Sequence, residues 1–153
     1  QFFYDKQARA RAEKSFDRAI ELCGRGLELK PGNGESQYYL GRTHQLKGNT
    51  KTSDSFYRKS LNGLEEFVDN NPDDADGFYI LGNAYLTTKQ YSKTVATYRK
   101  CLEISPRFAE VMFNLGYTYH LMENNPEARK QLSDLEKIDP KKANVLKGLI
   151  SAK

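Results

Sequence analysis

The sequence repeats itself with a period of 34 residues, and this period constrains the fold more than any other feature of the chain. The matched pairs are Leu81 and Leu115, Gly82 and Gly116, Tyr85 and Tyr119, and Pro106 and Pro140. Self-similarity at a fixed period of about 20 to 50 residues is typical of solenoids, in which each copy is one supersecondary unit that packs on its neighbours. We therefore expect a fold built from stacked copies.

Each copy has the spacing of two helices. Phe78, Leu81 and Tyr85 recur every three or four residues and so fall on one face of a helix. Residues 91–102 carry a second apolar stripe with the same spacing. Four prolines follow a capping residue and predict helix starts: Asn71-Pro72, Ser105-Pro106, Asn125-Pro126 and Asp139-Pro140.

The third and fourth copies share an ordered set of aromatic, small and proline positions. The third copy reads Phe78, Leu81-Gly82, Tyr85, Thr94, Tyr98 and Pro106. The fourth reads Met112, Leu115-Gly116, Tyr119, Ala128, Leu132 and Pro140. This order resembles the tetratricopeptide repeat. The resemblance implies an all-α fold, a right-handed superhelical solenoid of antiparallel helix pairs with a C-terminal capping helix, and no chemistry of its own.

We expect a single tetratricopeptide-like domain over residues 1–153. Its copies span residues 1–33, 34–74, 75–108 and 109–142, and the capping helix covers about residues 141–152. The first copy is degenerate, with an expected first helix from Phe2 to Ala12, and is either a terminal cap or a repeat cut by the chain boundary. The capping helix carries an apolar stripe of Val145, Leu146, Leu149 and Ile150.

The second copy is seven residues longer than the others, because Gly41 and Gly82 are 41 residues apart. The added residues are 62–68, where Leu64 and Val68 keep helical spacing. This predicts about two extra turns of the second helix. The extension either packs on its neighbours or projects toward a partner, and the sequence leaves both open.

Composition excludes several classes of partner. The net charge of +4 is spread along the chain without a basic tail or a block of like charge, so nucleic acid is not the expected partner. No run approaches the roughly 18 apolar residues of a transmembrane helix, which predicts no direct membrane insertion in this segment. A signal or anchor before Gln1 would not be visible, so the localisation stays open.

The sequence has no motif for catalysis or metal binding. It lacks HExxH, paired carboxylates beside a histidine, and a Gly-rich phosphate loop, so we expect no enzyme, no metal site and no cofactor. His44 takes a tyrosine position of the family and is expected to pack in the core. Cys23 and Cys101 are expected to be buried, reduced thiols.

The first helix of each pair lines the concave groove in the family that the chain resembles. Helical geometry selects the groove-facing positions, which begin with an aromatic residue two before each Leu-Gly pair. The predicted partner-binding residues are Tyr38 and Arg42 in the second copy, Tyr79, Asn83 and Leu86 in the third, and Phe113, Asn114, Tyr117 and His120 in the fourth. Tyr4 has the same place in the weak first copy. These rings either contact a bound segment or mostly pack on neighbouring first helices.

Tetratricopeptide co-chaperones hold an acidic C-terminal tail with a clamp of lysine, asparagine and arginine, which this chain does not match. The clamp positions hold Tyr38, Arg42, Ile80, Glu110 and Asn114. Acidic residues near the start of the first helices also disfavour an acidic tail. We therefore predict that the partner segment is apolar, neutral or mildly basic.

The leading functional prediction is a scaffold or adaptor that binds a peptide or protein segment in the groove. The first alternative is a structural subunit that self-assembles as a homo-oligomer through its ends or convex face. RNA binding through the helical repeats is the third reading, and it would require a continuous basic stripe.

Overall fold

In a computed structural model of the chain, residues 2–151 are described, with side chains from Ala10 to Ser151. These residues form eight helices and no strand, which confirms the predicted all-α class. In chain order they are α1 (Phe2–Leu29), α2 (Gly34–Leu46), α3 (Thr50–Asn70), α4 (Ala75–Thr87), α5 (Tyr91–Ile104), α6 (Ala109–Leu121), α7 (Asn125–Glu136) and α8 (Pro140–Ser151). None of these helices combines the length and apolar character needed to cross a membrane.

The helices group into two compact units. Unit 1 extends to Phe67, and unit 2 begins at Val68. In unit 1, α1 packs on α2; in unit 2, α4 packs on α5, α6 on α7, and α8 on both α6 and α7. Helix pairs joined by short turns are therefore the building block of unit 2, as the 34-residue period predicts.

A glycine on the first helix lies against an aromatic ring on the second helix of the same pair. A Cβ added to Gly82 of α4 would lie 2.5 Å from Cδ1 of Tyr98, which is fully buried on α5. Within unit 1, a Cβ on Gly41 would lie 3.0 Å from Cδ1 of Tyr57 on α3. The missing side chain lets the two helices approach closely enough for the ring to lie on the backbone.

The fourth copy fills this space differently. Leu132 stands one period after Tyr98, and an aliphatic side chain cannot lie flat on the glycine. Leu146 of α8 takes the place instead, since a Cβ on Gly116 would lie 2.8 Å from its Cδ2. Leu146 belongs to a buried cluster with Met112 and Leu135. Helix α8 thus covers α6 and α7, as expected of a capping helix.

The same turn ends the first helix of three pairs. Gly48, Lys89 and Glu123 hold matching positions and have positive φ angles of 79°, 61° and 58°. After α4, the N–H of Lys89 donates to the carbonyl of Leu86 at 3.0 Å, and the N–H of the next residue donates to the carbonyl of Tyr85 at 2.9 Å. This Schellman arrangement satisfies the last carbonyls of the helix.

The extension of the second copy lies within α3, a continuous helix of 21 residues. Gly63 lies in backbone contact with the turn before α2: a Cβ at this position would be 2.6 Å from the nitrogen of Gly34. Leu64 is 2% exposed, whereas Phe67 is 42% exposed. The first turn of the extension therefore packs inside unit 1, and its later part presents a ring at the surface.

Helix α1 corrects the prediction for the first copy. It is a single helix of 28 residues, so the expected break after Ala12 is absent. Residues 2–23 contain no glycine or proline that would end a helix. Tyr4 lies outside the described side chains, and its predicted role stays a prediction.

Two of the four predicted helix starts are also wrong. Helix α4 begins at Ala75 rather than at Pro72, and α6 likewise begins past Pro106, because both prolines lie in the connecting turns. The cap of α4 is Asp74, whose side chain accepts a hydrogen bond from the N–H of Gly77 at 2.8 Å. The other two predicted starts lie within one residue of the starts of α7 and α8.

The apolar stripe predicted for the capping helix is divided by the structure. Leu146 is fully buried and Ile150 half-buried, but Val145 is 59% exposed and Leu149 is 42% exposed. Helix α8 buries the row that contains Ala143 and Leu146, and the row that contains Val145 and Leu149 is displaced from it by about 100°. The outer face of α8 is therefore partly apolar.

Gly82→Ala tests the contact between glycine and ring. The new methyl group would overlap the buried ring of Tyr98, so we expect a loss of about 1 to 3 kcal/mol in the free energy of unfolding. Gly148→Ala is the matched control, because a Cβ at this exposed helical position meets nothing within 4 Å. The control should gain about 0.5 to 1 kcal/mol. Urea denaturation followed by circular dichroism measures both, and equal stabilities for the two variants would contradict the contact.

Candidate functional site

An asparagine pair lies on the predicted binding face of unit 2. Asn83 of α4 and Asn114 of α6 are both half-buried. The Nδ2 group of Asn114 donates to Oδ1 of Asn83 at 2.9 Å, and the hydroxyl of Tyr98 donates to the same oxygen at 2.5 Å. Two donors from two different helices therefore fix the orientation of the Asn83 amide.

The pair retains unused hydrogen-bonding capacity. Within the described part of the chain, Nδ2 of Asn83 and Oδ1 of Asn114 make no hydrogen bond. An amide nitrogen offers two donors and an amide oxygen two acceptor sites. The two side chains thus leave a donor on α4 beside an acceptor on α6. A peptide group has the complementary C=O and N–H.

Aromatic rings stand on the same two helices. The ring of Tyr79 lies 5.0 Å from that of Phe108, measured between centroids, and packs against the core cluster of unit 2. Phe113 and Tyr117 pack against the cluster that contains Leu146. All three predicted rings are half-buried. Each therefore takes part in helix packing and still keeps some accessible surface.

The remaining predicted residues of unit 2 have different environments. Leu86 is half-buried near the end of α4. His120 is half-buried near the end of α6, with its ring 6.5 Å from that of Tyr117, and its Nδ1 atom is buried without a hydrogen-bond partner. It also lines a cavity between α6, α7 and α8.

In unit 1, the two predicted residues differ in exposure. Tyr38 is only 6% exposed, with its ring at 5.4 Å from that of Tyr39 and 5.5 Å from that of Tyr57. Arg42 is exposed. Burial raises the pKa of Tyr57, and the nearby positive charge of Arg42 opposes this shift. Of the two, Arg42 is the side chain with surface available to a ligand.

Sequence reasoning missed the contribution of Tyr98. Its position on the apolar stripe of α5 predicts a core residue, and its ring is indeed fully buried. Its hydroxyl nevertheless reaches Asn83 on the neighbouring helix. The sequence feature that could have predicted this contact is that Asn83 directly follows Gly82. The ring that covers the glycine brings its hydroxyl to the next residue of α4.

The two thiols are free but differ in burial. Cys101 is buried and its Sγ donates to the carbonyl of Ala75 at 3.1 Å, as expected for a structural thiol. Burial, reinforced by the negative charge of Asp76, raises the pKa of Cys101 to about 11. Cys23 is only half-buried, which corrects the prediction of two buried thiols. No group of three or more His, Cys, Asp or Glu residues among the described positions is arranged to hold a metal ion.

The repeats match known family models. Residues 82–123 match a model described as TPR repeat, and residues 109–142 match one described as Tetratricopeptide repeat. Residues 82–142 therefore carry tetratricopeptide repeats. Such repeats generally mediate protein–protein interactions and are typically non-catalytic.

One curated protein and several solved structures are similar to the chain. A Protein CTR9 homolog of Arabidopsis thaliana is 26% identical over 120 residues, which are 78% of this chain and 11% of that protein. A thermophilic TPR protein of Thermus thermophilus, TTC0263, has a TM-score of 0.67 at 20% identity, with 93% of this chain and 76% of that chain covered.

Two further solved structures are similar. MamA has a TM-score of 0.62 at 22% identity, with 94% of this chain and 85% of that chain covered. YrrB, described as a TPR protein with an unusual peptide-binding site, has a TM-score of 0.55 at 19% identity, with 91% and 87% covered. At these identities, the likeness concerns the fold of the tetratricopeptide repeats.

The thiols provide a test of the local packing. At pH 8, iodoacetamide should alkylate Cys101 at least about tenfold more slowly than Cys23. Burial raises the pKa of both thiols, but Cys101 is fully buried and its pKa reaches about 11, whereas Cys23 is only half-buried. Mass spectrometry of the digested chain measures both rates. In denaturant the two thiols should react at similar rates. Equal rates in the folded chain would contradict the buried, hydrogen-bonded state of Cys101.

Proposed function

We propose that this chain is a protein-interaction module whose tetratricopeptide repeats bind an extended segment of another protein across α4 and α6. The observation that carries the proposal is the unused donor of Asn83 beside the unused acceptor of Asn114. These two groups would pair with the C=O and N–H of the bound backbone. Because backbone groups are common to all sequences, the pair would supply affinity and register rather than sequence specificity.

The rings around the pair would supply the contact area. Tyr79, Phe113 and Tyr117 are already held by packing, so little conformational entropy is lost when a ligand covers their remaining surface. The similar fold of YrrB, whose description includes a peptide-binding site, supports a peptide as the ligand class. We propose no catalytic role and no cofactor for the chain.

The charges near the first helices favour an apolar, neutral or mildly basic segment. Asp76 and Glu110 are exposed in the first turns of α4 and α6. The carboxylate of Glu110 is paired with Lys142 at 3.1 Å, so part of its charge is neutralised. Asp76 has no ion pair within the described residues. Of these two carboxylates, Asp76 therefore contributes more of the negative charge.

Asn83→Asp tests the backbone contact without disturbing the internal hydrogen bonds. Aspartate keeps the oxygen that accepts from Tyr98 and Asn114 and removes the unused donor. Peptides would first be selected from a displayed random library on the wild-type chain. Isothermal titration should then show about tenfold weaker binding of the selected peptides to Asn83→Asp, because a ligand carbonyl would face a carboxylate.

Asn144→Asp is the matched control for this experiment. It introduces the same change on the exposed side of α8 and should leave the affinity within about twofold of the wild type. The peptides whose binding Asn83→Asp weakens should be rich in apolar and aromatic residues and poor in acidic ones. The proposal would be overturned if Asn83→Asp left the affinity of every selected peptide unchanged, or if the peptides that depend on Asn83 were acidic.

Self-assembly is a second candidate, because the outer face of α8 exposes Val145 and Leu149. If α8 joins two copies, light scattering of the wild-type chain should show a molar mass that rises with concentration. The double substitution Val145→Lys and Leu149→Lys should abolish this rise. The control is Leu46→Lys, which alters a leucine that is 63% exposed in unit 1 and should leave the rise in molar mass unchanged. A wild-type monomer at about 1 mM would rule out this candidate.

A further inference from the structure

We propose that the cavity between α6, α7 and α8 binds an anionic side chain of a protein segment, either a carboxylate or a phosphorylated residue. The cavity has a volume of about 560 Å³ and lies within unit 2. Its polar lining consists of Asn125, Arg129, Lys147, Ser151 and His120. This inference does not depend on the proposed role of the asparagine pair.

The charge of the lining points to an anion. Arg129 of α7 and Lys147 of α8 line the cavity, and no acidic side chain does so among the described residues. Neither cation makes an ion pair within that part of the chain. By contrast, Lys137 at the end of α7 and Lys142 of α8 are paired with carboxylates. Two exposed cations without an ion pair, one on each of two helices, thus border the same space.

The buried histidine nitrogen is a second, independent observation. Nδ1 of His120 is inaccessible to solvent and has no hydrogen-bond partner. A buried polar atom without a partner is unfavourable, and a ligand oxygen in the cavity would supply one once the ring turns to expose this nitrogen. If Nδ1 carries the proton, a carboxylate or phosphate oxygen is a suitable acceptor.

Comparison with the preceding repeat shows that the third copy lacks this lining. One period earlier, the places of His120 and Arg129 are held by Leu86 and Val95. Val95 packs against the core cluster around Tyr98. The third copy therefore fills the corresponding place with apolar groups, while the fourth copy places groups there that can donate hydrogen bonds.

The shape and walls of the cavity limit the ligand further. Leu132 and Ile150 provide apolar surface beside the donors. An anionic group on a short carbon stem, as in glutamate or phosphoserine, would use both kinds of surface. A bare inorganic ion would leave most of the volume unused. Glutamate and phosphoserine share this anionic chemistry and can be separated by experiment.

The test uses three blocked five-residue peptides with leucine on both sides of a central glutamate, phosphoserine or glutamine. Each is titrated into the nitrogen-15-labelled chain and followed by amide chemical shifts. We expect saturable shifts at Asn125, Arg129 and Lys147 with the two anionic peptides. Their affinity should exceed that of the glutamine peptide by about tenfold or more. Tighter binding of the phosphoserine peptide would assign the site to a phosphorylated partner, and comparable binding of glutamate to a constitutively acidic one.

Charge-removing variants locate the site. Arg129→Gln and Lys147→Gln should each weaken binding of the better anionic peptide about fivefold. Lys130→Gln and Lys141→Gln are the controls, because they remove the same charge from exposed positions of the same helices outside the cavity lining. Each should change the affinity for the peptide less than about twofold, because salt screens exposed charges that lie away from the ligand. Equal losses in all four variants would show non-specific attraction and overturn the proposal. The absence of saturable shifts at about 10 mM peptide would overturn it as well.

Discussion

The ring of Tyr98 lies directly on the backbone of α4 at Gly82, and much of unit 2 depends on this contact. It sets how closely α4 and α5 approach, because a side chain at position 82 would hold the helices apart. It also carries a hydroxyl to Oδ1 of Asn83 at 2.5 Å. A single packing contact thus positions a group of the candidate binding face. The packing of α4 on α5 and the proposed binding face therefore depend on the same tyrosine.

The helices, their pairing and the capping role of α8 could be predicted because apolar residues recur at helical spacing and this local pattern is repeated in successive copies. Helix ends were predicted less well. Pro72 lies in a turn rather than at a helix start, and α1 continues past Ala12 without a break. The first error arises because a proline that follows an asparagine suits a turn as well as the first position of a helix. The second arises because a degenerate copy retains no residue that ends a helix.

The candidate site was predictable as a set of positions but not as a set of interactions. Helical geometry selected Asn83, and Asn114 was chosen as a polar side chain that could hydrogen-bond a ligand. The structure joins them by a hydrogen bond of 2.9 Å between two helices. The periodicity of each helix carries no information about which donor meets which acceptor. The sequence left open whether Tyr38 packs or faces a ligand, since a groove-facing stripe and a core stripe lie about 120° apart on a narrow helix, and the structure buries it. The hydrogen bond between Asn83 and Asn114 holds both amides in place before binding, so their ordering costs less entropy when a ligand associates.

The turns after the first helices have a consequence for evolvability. Gly48 suits the left-handed conformation, whereas Lys89 and Glu123 adopt it at a cost of about 1 to 2 kcal/mol each. Unit 2 is therefore less stable than it would be with glycine at these two surface positions, which contact no proposed ligand. Replacing Lys89 and Glu123 by glycine would raise the free energy of unfolding. A binding face that is altered by destabilising substitutions could then change while the repeats remain folded.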